Sequence, residues 1–242
     1  MPQNKQSVFF LIGISITAYI LINHLRFFPN DWFALYFPKN EKFMLWQLFT
    51  YLFLHGSFAH LLFNMFALFS FGVSLEKLWG TKRFLIFYFI TGIGAAVIYT
   101  LVNYFQFSSQ YDQLLEIGLN SFDIERLLAT GTVNSELLLR VSEESLAKFY
   151  SMFHMPAVGA SGAIYGILIA FALTFPNAKL ALIFLPIPIK AKVFVPILIG
   201  GDLFFGLTSY SIGNIAHFAH IGGAFFGLIV MFWWKKTRTS RA

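Results

Sequence analysis

The sequence predicts an all-α membrane protein, folded as one bundle of six transmembrane helices. Of its 242 residues, 57% are hydrophobic and only 12% are charged, whereas soluble domains are about 45–50% apolar and about 25% charged. Uncharged runs of roughly 17–25 residues, the length that crosses a bilayer as a helix, recur along the chain. Helices are favoured in these runs because an open sheet cannot satisfy its backbone hydrogen bonds in lipid.

We expect a single membrane domain over residues 1–242, ending in a basic tail at 235–242. The predicted spans are Val8–Leu25, Ser57–Leu75, Phe84–Tyr104, Ala157–Phe175, Val193–Ser209 and Ile215–Trp234. The first apolar run is too long for a signal peptide, and no A-x-A cleavage site follows it. We therefore expect this run to be retained as the first span.

The basic residues predict which side of the membrane each loop occupies. With six spans, both chain ends lie on one side, and most basic residues fall there: Lys5, Lys77, Lys82, Arg83, Lys179, Lys190, Lys192, Lys235, Lys236, Arg238 and Arg241. The positive-inside rule makes this side cytoplasmic in a cell membrane. The net charge of +6 is thus a topology signal, and we predict no nucleic-acid partner. The absence of cysteine excludes disulfides and thiolate zinc sites.

Two connections on the outer side are unusual. The first, about 26–54, contains FFPNDWFALYFPKNEKFMLW, and its aromatic residues predict a loop half-embedded at the interface. The second, about 106–155, carries seven acidic and three basic residues. Its apolar residues recur at three and four, which predicts short amphipathic helices at or above the interface.

Polar side chains within spans are costly and usually have a reason. The first such group is HGSFAHLLFNMF, in which His60 and Asn64 share a helix face and His55 lies at the outer start of the second span. Hydrogen bonding between helices is the alternative explanation for such a pair.

The second group is GASGAIYG, in the first turn of the fourth span. Ser161 and Tyr165 share a face there, and free backbone N–H groups at the helix start would stabilise an oxyanion. A packing seam of small residues, with Gly162 and Gly166, explains the same pattern. The G-x-S-x-G elbow of soluble hydrolases does not fit, because Ala163 stands where that motif has its last glycine and because no strand precedes the serine.

The third group is NIAHFAHIGGAFFGL, in the outer half of the sixth span. His217 and His220 are three residues apart, and Gly223 and Gly227 follow on the face of His220. These glycines would let this helix approach another helix closely.

The combination indicates chemistry, because the topology puts His60, Ser161 and His220 at a similar depth near the outer face. A serine beside a histidine is a nucleophile with its general base. A second histidine and an amide on one helix face supply donors for a developing oxyanion. No acid is expected at this depth, which favours a Ser–His dyad over a triad.

These residues resemble the rhomboid intramembrane serine proteases. The matching motifs are H-x-x-x-x-H-x-x-x-N at His55–Asn64, G-x-S-G at Gly159–Gly162 with Tyr165, and A-H-x-x-G-x-x-x-G at Ala219–Gly227. WQLFTYLFLH and LEKLWG, on either side of the second span, are similar to the family as well. The resemblance covers about Trp46–Trp234, except the acidic insert.

The resemblance implies a six-helix rhomboid bundle that cleaves transmembrane-helix substrates near the outer face of the bilayer. Ser161 would be the nucleophile and His220 the general base, and the oxyanion hole would consist of His60, Asn64 and the Ser161 N–H. The family's supporting positions match Tyr165, Gly159, Gly223 and Gly227. The implied partners are transmembrane proteins and the lipid bilayer, with no cofactor and no metal, and the oligomeric state stays unassigned.

Tyr165 would pack against the His220 ring, and Gly159 would allow a tight turn before the fourth span. Gly223 and Gly227 would let the sixth span lie close to the fourth. The chain departs from the family at Gln47, where arginine is frequent, and in the long insert.

Several alternatives stay open. A rhomboid-like protein that binds membrane helices without cutting them is one, and a transporter is another. His217 competes with His220 as the base. IGGD at Asp202 is similar to an aspartyl intramembrane protease motif, but Ile199 stands where that motif needs glycine, and the other candidate aspartate, Asp112, lies in the insert.

A membrane metalloprotease is the last alternative. No H-E-x-x-H motif is present, which leaves His60, His217 and His220 as the candidate zinc ligands.

Overall fold

The computed structural model describes residues 6–132, 138, 140–182, 185–208 and 216–239. Several residues used above, namely Lys5, Ser209, Ile215 and 240–242, lie outside the described residues. The described α-helices are α1 (Gln6–Tyr19), α2 (Gln47–Thr50), α3 (Phe58–Ala67), α4 (Val73–Trp79), α5 (Thr81–Glu116), α6 (Ser121–Thr130), α7 (Glu143–His154), α8 (Ser161–Thr174), α9 (Ala191–Leu207) and α10 (His217–Thr239).

Among the described residues, four helical runs are long and apolar enough to cross a membrane: Gln6–His24, Phe58–Trp79, Thr81–Glu116 and His217–Thr237. π-Helical segments at Ile20–His24 and Leu68–Gly72 belong to the first two runs. The helices α8 and α9 have 14 and 17 residues, so α8 is about 21 Å long at about 1.5 Å per residue. The protein is therefore a mostly helical membrane protein, with four span candidates by this measure.

Two of the helices differ from the predicted spans in length. The helix α5 continues past Tyr104 to Glu116, so it projects into the segment predicted as an insert. The helix α8 begins at Ser161 rather than at Ala157. Ala157 lies outside the helix because it exchanges two backbone hydrogen bonds, of 2.8 and 3.0 Å, with Leu35 in the first loop.

The centre of the bundle consists of α5, α8 and α10, which pack against one another. Small residues allow this packing: Gly162 lies against Ala95, and Gly166 against Thr91. Large apolar side chains such as Phe10 remain exposed on the outer surface of the helices, as expected for helices that face lipid rather than water.

The structure is mostly helical, as predicted, but it contains one short pair of strands that was not predicted. Strands β1 (Lys179–Leu182) and β2 (Leu185–Lys190) form an antiparallel pair between α8 and α9, with Lys179 opposite Lys190. Proline at 186 and 188 disfavours a helix in this connection. The argument against strands holds only where backbone groups meet lipid, and it does not apply to a short connection at a bundle end.

The predicted insert folds on a small apolar core of its own. Buried side chains from α5, α6, α7 and the connection between α5 and α6 meet in this second core: Phe107, Leu114, Leu119, Ile124, Leu127, Leu146 and Phe149. Asn120 and Ser142 cap α6 and α7 through their side chains. The insert helices are thus packed together by their apolar faces.

The first loop packs against the insert and is held together internally by Gln47. Phe37 belongs to the second core, and Asn40 Nδ2 donates 2.9 Å to the Phe153 carbonyl of α7. Gln47 is fully buried; its Nε2 donates to the carbonyls of Asp31 and Lys42, and its Oε1 accepts from Tyr36 N–H. The glutamine that departs from the family pattern therefore organises this loop.

Candidate active site

Ser161 is the first residue of α8, and the chain before it is fixed from two sides. Gly159 N–H donates 2.9 Å to the Tyr51 carbonyl, while Tyr51 Oη donates 2.8 Å to the Gly92 carbonyl of α5. Gly159 has φ +123°, which side-chain-bearing residues rarely adopt. The N–H groups in the first turn of a helix have no partner within that helix. No side chain caps the start of α8 to supply one.

His220 is the histidine whose ring contacts the serine. Its Nε2 lies 2.9 Å from Ser161 Oγ. The Tyr165 ring stacks on the His220 ring, with centroids 4.2 Å apart and planes 10° apart. Ser161 is half-buried and the His220 side chain is 13% exposed, so the pair is sheltered while the serine keeps partial access.

The close approach of α10 to α8 brings this pair together. A Cβ added at Gly223 would overlap the carbonyl of Gly162, and one at Gly227 would lie 2.8 Å from Gly166 Cα. Only glycine allows the two backbones to touch at these two positions. The His220 ring, less than one turn before Gly223, is thereby held beside the start of α8.

Asp202, on α9, approaches the same pair from the far side of the imidazole. Its Oδ1 lies 3.1 Å from His220 Nδ1 and 2.6 Å from His217 Nδ1. Its Oδ2 accepts a hydrogen bond from Tyr165 Oη. The carboxylate is 7% exposed, and these three donors compensate for its removal from water.

The prediction that no acid lies at this depth is therefore wrong. Ser161, His220 and Asp202 form a continuous chain of contacts from Oγ through the imidazole to the carboxylate. The sequence carried a signal for this residue, since an aspartate within an apolar helix is expensive. It gave no information on which face of α9 meets α8 and α10.

His217 was the competing base in the sequence analysis. Its Nδ1 contacts Asp202, whereas the ring that contacts Ser161 is that of His220. His217 is 7% exposed, and the Phe205 ring lies nearly parallel to it at 5.9 Å. The aspartyl protease reading gains no second carboxylate here, because Asp112 is exposed near the end of α5 in the insert. Two carboxylates that share a proton are the basis of that chemistry.

The two predicted side-chain donors of the oxyanion hole, His60 and Asn64, lie on α3. A Cβ at Gly159 would lie 2.8 Å from His60 Nε2, so the His60 ring packs directly against this turn. Asn64 is buried, and its Nδ2 donates 2.9 Å to the His60 carbonyl of its own helix. This contact engages one of the two Asn64 amide protons, which leaves the second for another acceptor.

His55 lies beside His60 outside the helical span, with the two ring centroids 5.1 Å apart at 70°. Burial, together with the neighbouring His60, lowers the pKa of His55 to about 3. His55 is therefore neutral at pH 7 and adds no positive charge at the mouth of the site.

Asp202, His217 and His220 each offer a metal-ligating atom, and these atoms lie within 4.8 Å of one another. This group differs from the zinc set considered from the sequence, because Asp202 takes the place of His60. A tetrahedral zinc ion with bonds of about 2.0–2.1 Å would hold its ligand atoms roughly 3.3 Å apart. The separations of 2.6 and 3.1 Å from the carboxylate fit direct hydrogen bonds better.

Comparison with known proteins supports the resemblance to the rhomboid family. The chain is 27% identical over 234 residues to mitochondrial rhomboid protein 1 of Saccharomyces cerevisiae, covering 93% of this chain and 52% of that protein. It is 29% identical over 119 residues to rhomboid-like protease 3 of Toxoplasma gondii, covering 49% and 42%. It is 28% identical over 182 residues to rhomboid protease GluP of Bacillus subtilis, covering 75% and 25%.

The chain thus spans about a quarter to a half of the length of these relatives. The family model described as Rhomboid domain matches residues 42–109 and 122–236. The match resumes at residue 122, inside the segment that the sequence analysis treated as an insert. Because this match covers most of the chain, from the first loop through α10, the protein belongs to the rhomboid family.

Proposed function

We propose that this protein is an intramembrane serine endopeptidase that cleaves transmembrane-helix substrates. The observation that carries the proposal is the 2.9 Å contact between His220 Nε2 and Ser161 Oγ at the start of α8. Family membership alone is insufficient, because a rhomboid fold can bind membrane helices without cutting them. This chain has both the nucleophile and the base, and its helices hold them in contact.

In the proposed reaction, Ser161 Oγ attacks the scissile carbonyl carbon while its proton passes to His220 Nε2. The negative charge develops on the substrate carbonyl oxygen at the N-terminus of α8. The Ser161 N–H, the His60 ring and the free Asn64 amide proton would donate to this oxygen. His220 then gives the proton to the leaving amine, and water hydrolyses the acyl-enzyme by the same steps in reverse.

The proposal includes a six-span topology, in which α8 and α9 cross the membrane together with the four longer helical runs. Both chain ends would be cytoplasmic in a cell membrane, and the site would open to the outer side. The first loop would be half-embedded there, as its exposed Trp32, Leu45 and Trp46 suggest. The short α8 would begin below the membrane surface, in a cavity that admits water.

A substrate helix must unwind locally to present its peptide bond to Ser161. We therefore expect cleavage near the outer end of the substrate span, at sites with glycine, proline or other residues that weaken helices. The exposed acidic residues of the insert, such as Glu143 and Glu144, would face the segment of substrate outside the membrane. No cofactor or metal is part of this proposal.

The test is cleavage of a transmembrane substrate in liposomes by purified wild type and Ser161→Ala. The variant should lose turnover by about 10⁴-fold or more, because no other group supplies the nucleophile. Ser15→Ala is the matched control, since Ser15 is a buried serine on α1 with 1% exposure. Near-normal cleavage by Ser161→Ala would contradict the mechanism, whereas no cleavage by wild type across helix-weakened substrates would favour the non-cleaving alternative.

A further inference from the structure

We infer that Asp202 is a positioning residue for His220, so that the site works as a Ser161–His220–Asp202 triad rather than as a dyad. This inference rests on the proposed function and deepens it. It is carried by the position of the His220 imidazole, whose Nδ1 contacts the Asp202 carboxylate and whose Nε2 contacts the Ser161 hydroxyl.

The first consequence concerns the tautomer of His220. An ionised carboxylate only accepts hydrogen bonds, so His220 Nδ1, at 3.1 Å from Asp202 Oδ1, must carry the ring proton. A neutral imidazole has one N–H, which leaves a lone pair on Nε2 facing Ser161 Oγ at 2.9 Å. Asp202 thus selects the tautomer in which His220 can accept the serine proton.

The second consequence concerns the plane of the ring. Tyr165 Oη donates to Asp202 Oδ2, and the Tyr165 ring stacks on His220 at 4.2 Å. One carboxylate therefore fixes the base directly through Nδ1 and also fixes the aromatic ring that packs on its face. Rotation of the imidazole away from Ser161 would break both arrangements.

The depth of Asp202 agrees with this role. Asp202 lies five residues before the end of α9, and His220 lies three residues after the start of α10. At about 1.5 Å per residue these positions are about 7.5 and about 4.5 Å from the neighbouring helix ends. Ser161 begins α8, so all three groups lie at the same end of the bundle.

During attack, the Ser161 Oγ–H bond breaks, a bond forms from Oγ to the carbonyl carbon, and the carbonyl π pair moves to oxygen. The proton moves to His220 Nε2, and the resulting imidazolium keeps its Nδ1–H directed at Asp202. The carboxylate remains ionised and stabilises this cation without taking the proton. When the C–N bond breaks, the Nε2 proton passes to the leaving amine.

A purely structural role is the competing explanation, because Asp202 also binds His217 at 2.6 Å and joins α9 to α8 and α10. The two roles differ in what a neutral isostere would change. Loss of an anchor lowers stability, whereas loss of a positioning residue lowers kcat in protein that is still folded.

The test is Asp202→Asn, assayed for kcat, KM and thermal unfolding with a transmembrane substrate. We expect kcat to fall about 10²–10⁴-fold, as when a triad histidine loses its orienting carboxylate, with KM within about twofold of wild type. Glu76→Gln is the matched control. Glu76 is a second buried carboxylate, 1% exposed, and its partners are Ser7, Val8 and Thr81. It should lose stability and keep kcat.

The outcomes separate this inference from the proposed function. If Ser161→Ala does not reduce cleavage, the proposed function fails whatever Asp202→Asn does. If Ser161→Ala abolishes cleavage and folded Asp202→Asn keeps kcat within about threefold of wild type, the triad alone is overturned.

A measurement on the unaltered protein covers the case in which Asp202→Asn does not fold. In wild type with ¹⁵N-labelled histidine at pH 8, the His220 signals are those missing from His220→Ala. We expect a protonated Nδ1 and an unprotonated Nε2. The opposite tautomer would overturn the inference.

Discussion

Two buried carboxylates lie near opposite ends of the bundle, and their partners differ in kind. Glu76 accepts from the Ser7 and Val8 backbone N–H groups at the start of α1 and from the Ser7 and Thr81 hydroxyls. Asp202 accepts from two imidazoles and a phenol, and one of those imidazoles contacts Ser161. Glu76 is 16 residues along its helical run from His60, or about 24 Å.

This difference teaches that a buried charge in a membrane helix is not by itself a sign of chemistry. The donors around Glu76 are backbone N–H and hydroxyl groups, which do not exchange protons with a substrate at neutral pH. Glu76 accepts from the N–H groups at the start of α1, which have no partner within the helix. The donors around Asp202 include the His220 imidazole, whose other nitrogen lies 2.9 Å from Ser161 Oγ and can accept its proton. The type of partner, rather than burial, separates an anchor from a catalytic arrangement.

A large loss of turnover on the Asp202 side of this comparison should come from Gly223→Ala. The added methyl would overlap the Gly162 carbonyl, which forces α10 away from α8 and separates His220 from Ser161. We expect turnover to fall about 100-fold, since a shift of about 1 Å at a reacting pair has that cost, and stability to fall by about 1–3 kcal/mol.

Gly13→Ala on α1 is the matched control, because a Cβ there meets nothing within 4 Å. It should leave cleavage and thermal unfolding near the wild-type values. Full activity in Gly223→Ala would contradict the account of how the two helices position the serine and histidine.

A smaller effect, on stability alone, should follow from Glu76→Gln. In either orientation the amide NH₂ would face a donor that needs an acceptor, namely the Val8 N–H or the Ser7 and Thr81 donors. We expect the free energy of unfolding to drop by about 1–3 kcal/mol, read out by thermal unfolding in detergent, with kcat per folded protein unchanged. A large loss of kcat in folded Glu76→Gln would mean that the two carboxylates are not distinct in role.

Much of the fold could be predicted from the sequence because lipid imposes a strong rule. Three predicted spans agree within four residues at each end with the runs Gln6–His24, Phe58–Trp79 and His217–Thr237. The end of α5 was missed because Asp112 and Glu116 end the apolar signal while the helix continues into the insert. The β1–β2 pair was missed because its strands have only four and six residues, whereas the prediction rested on apolar runs long enough to cross a membrane.

The site was predictable where one helix carries the information. Spacing along a helix places Ser161 with Tyr165, and His220 with Gly223 and Gly227. The contact of Asp202 with His220 depends on how α9 is rotated against α8 and α10, which no single-helix period contains. The same limit applies to Gln47, which departs from the family pattern. No helical period shows that its side chain binds three backbone groups of the first loop.

The most direct test of the central claim is covalent labelling of purified protein with a fluorophosphonate, followed by mass spectrometry to locate the adduct. An activated serine should react at Ser161 in wild type, and the adduct should be absent from both Ser161→Ala and His220→Ala. An adduct that persists in folded Ser161→Ala, or wild-type protein that is folded yet unreactive, would contradict an active Ser–His site.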